Sequence, residues 1–87
     1  MKIDDLKRKL QGQGGKVVYM TYRNGVERKK TFRYVHPYSI REGKDNVFYL
    51  YASDDSHPTA IRKFLLSGIV ELEVTEVPFS PQWKVEF

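Results

Sequence analysis

Tyr49 and Tyr51 stand two positions apart in the run NVFYLYA, residues 46–52, and Arg62 follows after a polar connection. In a strand, successive side chains point to opposite faces. The two phenols therefore share one face, while Phe48, Leu50 and Ala52 share the other and supply core. Bases stack on exposed aromatic rings and guanidiniums pair with phosphates, in recognition that tolerates many base sequences. Tyr49 and Tyr51, with Arg62 from the following strand and Arg33 from an earlier one, are residue types suited to that chemistry. The bland alternatives are tyrosines hydrogen-bonded locally and Arg62 paired with Glu71 or Glu73 across strands.

Charge points the same way. The net charge of +4 is unevenly spread: from Lys7 to Arg33 there are nine basic residues against Glu27 alone, and the C-terminal end is acidic through Glu71, Glu73, Glu76 and Glu86. Arg28, Lys29 and Lys30 form the densest basic run and are candidate phosphate contacts. A solvated basic surface is the competing reading.

Other chemistry is excluded or unsupported. There is no cysteine, hence no disulfide, zinc finger or thiol nucleophile, which fits a reducing cytoplasm. His36 and His57 are far apart in sequence, with no carboxylate at ligand spacing, so neither a metal nor a cofactor is expected. GQGG, residues 12–15, lacks the flanking strand and Lys-Ser/Thr pair of a phosphate loop. Asp54 and Asp55 read as turn residues. The expectation is a protein that is not an enzyme. No apolar run approaches the roughly 20 residues of a membrane span, and the N-terminus has no secretory h-region, so no membrane partner is expected.

The elements that must position these residues are short. Eighty-seven residues, 40% hydrophobic and 14% aromatic, make one domain with one core. Residues 2–11 predict an amphipathic helix with Ile3, Leu6 and Leu10 on one stripe, acids early and bases late. Residues 16–23 predict a strand with Val18, Met20 and Tyr22 on one face. Asn24-Gly25 predicts a tight type I′ hairpin. The returning strand runs from about Val26 to Val35; its facing is ambiguous, and Pro37 ends it or forces it to an edge. Further strands are expected at about 47–53, 60–66 and 70–77, the last with Val70, Leu72 and Val74 on one face. Pro78 and Pro81 close the ladder, and Trp83, Val85 and Phe87 form an apolar tail. The expected fold is mainly β: a small five-stranded barrel over residues 16–77, with a short N-terminal helix and a tail at 78–87.

With the strands placed, the chain resembles the WYL domain of bacterial regulators. The matching features are VVYMTY (17–22), a strand ending in aromatic Tyr22; RYVHPYSI (33–40), with Arg33 four before Pro37; and the triplet Phe48-Tyr49-Leu50. Arg62-Lys63-Phe64 and Ile69 follow, and PFSPQWKV (78–85) is similar to the segment that leaves the family's core. The resemblance implies an SH3-like or Sm-like β-barrel that senses nucleotides or single-stranded nucleic acid in transcription or in phage and CRISPR defence, and it adds Tyr22 to the candidate site. Two positions depart from the pattern: Phe48 replaces the tryptophan, and Gly68 stands where an arginine usually precedes the isoleucine. The chain lacks a helix-turn-helix before the motifs and an extension after them, so an isolated module is expected. The competing function is a protein-interaction or homo-oligomerisation module, with the aromatics as interface anchors.

Overall fold

The fold is that of a computed structural model, which describes residues 1–25 and 29–87. Helix α1 spans Ile3–Leu10, with Asp4 and Asp5 in its first turn and Lys7, Arg8 and Lys9 in its last, as the helix dipole favours. So short a helix is marginal alone; Leu6 and Leu10 are buried against the sheet and hold it there. Gly12, at φ +74°, carries the chain out of the helix in a conformation other residues resist.

Five strands follow: β1 (Lys16–Arg23), β2 (Lys30–Glu42), β3 (Phe48–Asp54), β4 (His57–Leu65) and β5 (Ile69–Pro78). They form one antiparallel sheet in the order β4-β3-β2-β1-β5. Among the described residues β4 and β5 do not pair, so the sheet stays open and the expected closure into a barrel is not seen. Its inner face, under α1, gathers Val18, Met20, Val35, Leu50, Ala52, Phe64, Ile69 and Leu72.

Several expectations are corrected. The strand containing Pro37 neither stops there nor lies at an edge: β2 is the central strand. A bulge between Pro37 and Ser39 accommodates the residue that cannot donate to a ladder, and Pro37 is buried. Arg23 pairs with Lys30, so Asn24-Gly25 is not a two-residue hairpin loop; the expected strand start at Val26 lies outside the described residues. β4 begins at His57, because Asp54 pairs with His57 across a tight turn at Asp55 and Ser56. In β5, Leu72 and Val74 face the core as expected, but a register shift between the pairs at Thr21 and Tyr22 leaves Val70 out of step and exposed, and Ile69 takes its place.

Residues 79–87 fold back over the outer face of β2. Phe79 stacks on His36 with ring centroids 4.3 Å apart, and Tyr38 takes Phe79 and Trp83 edge-on. The Gln82 N–H donates to the Tyr38 hydroxyl at 3.0 Å and the Glu86 N–H to the Tyr38 carbonyl at 2.8 Å.

Leu50 is fully buried and Ile61 is 45% exposed. In urea titrations, Leu50→Ala should lower stability by about 2–5 kcal/mol, whereas Ile61→Thr should change it by no more than about 0.5 kcal/mol. Equal effects would contradict the assigned facing of β3 and β4.

Candidate functional site

Strand pairing decides which candidate side chains meet. Leu50 pairs with Phe64 and Ala52 with Arg62, so Arg62 points to the same side as the core. On β2, Arg33 and Thr31 continue the inner parity of Val35, and on β1 Tyr22 continues that of Met20. Tyr22, Thr31, Arg33, Arg62 and Phe64 thus converge where the inner face runs out beyond the hydrophobic core. Together with Lys29 they line a cavity of about 270 Å³.

Phe64 is the hub. Its ring receives the guanidinium carbons of Arg33 at 5.4 Å and Arg62 at 5.6 Å, and Tyr22 edge-on at 5.3 Å. A guanidinium against an aromatic face is attracted by the ring quadrupole. Tyr22 is fixed at both ends. Its hydroxyl accepts from the Leu65 N–H at 3.2 Å, and its carbonyl accepts from the Thr31 hydroxyl at 3.2 Å. Thr31 in turn accepts from Arg33 at 3.3 Å.

Asp54 supplies the counter-charge. It continues the inner parity of Leu50 and Ala52, pairs with Val35, and its carboxylate lies 3.7 Å from the Arg33 guanidinium. Burial pushes its pKa up. That is outweighed by the Ser56 hydroxyl and N–H, which donate to it at 2.6 and 3.0 Å, and by the charges of Arg33 and Arg62; the net result lies below the ordinary value of 3.8. Reading the pair Asp54-Asp55 as turn residues misses this role. Its signal in the sequence is the parity of Asp54 with the apolar residues of β3.

Of the other candidates, Lys30 pairs with Arg23 and lies on the outer face, and Arg28 lies outside the described residues. Tyr49 and Tyr51 share a face, as expected, but it is the opposite one from Arg33 and Arg62. Tyr49 lies under the Lys63 ammonium, 4.4 Å from its ring centroid, and Tyr51 borders a separate cleft with Trp83 and Arg41. Lys63 borders the basic cavity, but its ammonium is committed to Tyr49. Arg62 does not pair with Glu71 or Glu73, because β4 and β5 are the two opposite edges of the sheet.

Gly68 packs directly behind Tyr22. A Cβ there would lie 2.7 Å from the Tyr22 ring and 2.8 Å from the Arg23 carbonyl oxygen, so any side chain displaces both. Gly68→Arg should therefore destabilise the protein by about 1–3 kcal/mol, as overpacking does; a melting temperature unchanged by the substitution would contradict this packing.

The lowered pKa of Asp54 also has a sign. Its ionised form favours the fold above the ordinary carboxylate value, and that contribution is lost as pH falls through the depressed folded value. Asp54→Asn should flatten the acid limb of the stability–pH curve while sparing the shape above pH 3.8. An acid limb identical to the parent's would contradict the assignment.

No curated protein and no solved structure gives a significant match. The family model of the WYL domain matches residues 13–74, a span that holds β1 to β4 and all the cavity-lining residues named above. The chain belongs to the WYL-domain family, whose members are regulatory, ligand-sensing modules.

Proposed function

We propose that the chain is a non-enzymatic regulatory module that binds a nucleotide-like anion, free or within single-stranded nucleic acid, in the cavity between Tyr22 and Arg62. The regulated process would be transcription or phage defence. One observation carries the reading: Arg33, Arg62 and Lys29 surround an aromatic pair in a cavity of about 270 Å³. The cavity lies just under the roughly 300 Å³ at which ligand pockets begin, so it suits one small unit, such as a phosphate with part of its nucleotide, rather than a run of them. Arg33, Arg62 and Lys29 outnumber the Asp54 carboxylate beside Arg33, so the rim is net positive and suits a phosphate.

The roles differ by residue. Arg33 is oriented by Asp54 and Thr31, and its buried Nε has no partner among the described residues. Arg62 is exposed, on edge strand β4, and has no ion-pair partner among the described residues. It offers a phosphate its charge and a base its planar face. Lys29, with Arg28 and Lys30 beside it in sequence, adds attraction along an approaching strand.

Fluorescence anisotropy with a labelled short single-stranded oligonucleotide tests the reading. Arg62→Ala should weaken binding by about 1.5–3 kcal/mol and reduce the slope of log affinity against log salt by about 0.7 for each phosphate no longer neutralised. Tyr49→Ala, on the other face, should bind as the parent does. Affinity insensitive to both Arg62→Ala and salt would contradict the proposal.

A further inference from the structure

The outer face of β1 and β2 carries a second group of aromatics that the ligand cavity does not use. Phe32 is 62% exposed and Tyr34 52% exposed, and Tyr19 lies between them with ring centroids 6.4 and 5.0 Å away. Such a cluster on a small protein marks an interaction surface. Its flanks carry opposite charges. At the end of the sheet beyond Phe32, Arg23 and Lys30 pair across the same face. On the neighbouring strand β5, Glu71 lies opposite Thr21 and Glu73 opposite Tyr19. None of these four charges has an ion-pair partner among the described residues.

We propose that this face pairs with the same face of a second copy of the chain. Two sheets packed face to face about a twofold axis lying in the interface bury one aromatic cluster against the other. With that axis on the diagonal between the Arg23–Lys30 end and the β5 side, each basic pair meets the Glu71 and Glu73 of the other copy. The patch is complementary to itself in both charge and apolar character. A nucleic-acid strand fits it less well, because the two glutamates beside Tyr19 repel phosphate.

Sedimentation velocity on the full chain, over a concentration series, tests the proposal. The native protein should form a dimer. Phe32→Ser with Tyr34→Ser should weaken it by more than about tenfold, as loss of central aromatic anchors does, with an unchanged circular dichroism spectrum. Arg23→Glu with Lys30→Glu should be monomeric, as should Glu71→Lys with Glu73→Lys, and an equimolar mixture of these two variants should recover a heterodimer. A native chain that stays monomeric, a dimer indifferent to Phe32 and Tyr34, or a mixture that fails to associate would each overturn the proposal. So would a monomer that binds a single-stranded oligonucleotide through Phe32 and Tyr34, which would assign the face to nucleic acid.

Discussion

Two guanidiniums, Arg33 and Arg62, lie against the single buried ring of Phe64, and the rest of the inner rim is arranged to permit it. Like charges brought together near a low-dielectric core repel, and each loses hydration. The chain answers with the Phe64 quadrupole, with the Asp54 carboxylate beside Arg33, and with exposure of Arg62 at the sheet edge. Arg33 is thereby held in place, and Arg62 keeps its charge available. The outcome is a preformed cationic cavity at the rim of the inner face.

That convergence depends on register more than on composition. Phe64 reaches the core because it pairs with Leu50, and Asp54 reaches Arg33 because it pairs with Val35. The bulge between Pro37 and Ser39 is what reconciles the Val35–Asp54 pairing with the Ile40–Leu50 pairing along β2. Without it, one half of β2 would present the wrong face to β3, since a slip of one residue turns every side chain over. The proline that reads as a strand terminator therefore sits at the irregularity on which the site's geometry rests. The chain's C-terminal segment, anchored on Tyr38 and His36, covers the outer side of this same stretch.

Much of this is legible in the residues. Alternation sets the inner facing of Leu50 and Ala52, the helix stripe picks out Leu6 and Leu10, and the spacing of Tyr22, Arg33 and Arg62-Lys63-Phe64 carries the family resemblance. What alternation within one strand does not supply is the pairing between strands. Whether Arg62 lies across from Ala52 or from Tyr51 decides which face it shares, and that is set by the shift in register just past the tight turn, between the pairs Asp54–His57 and Ser53–Ile61. Alternation alone thus groups Tyr49 and Tyr51 with arginines that point the other way. Phe32 and Tyr34 are ambiguous for the same reason: both facings of β2 place aromatics somewhere, and only the pairing of Val35 with Val18 resolves it. Val70 departs from its expected facing because a bulge breaks an otherwise regular alternation.

The most direct test of the central claim is a nuclear magnetic resonance titration of isotope-labelled protein with a short single-stranded oligonucleotide, following backbone amides and arginine Nε–H signals. The perturbed signals should cluster at Tyr22, Thr31, Arg33, Arg62 and Phe64, with Tyr49 and Tyr51 unmoved. Perturbations confined to Tyr49, Tyr51 and Lys63, with the arginine Nε–H signals of the cavity silent, would contradict it.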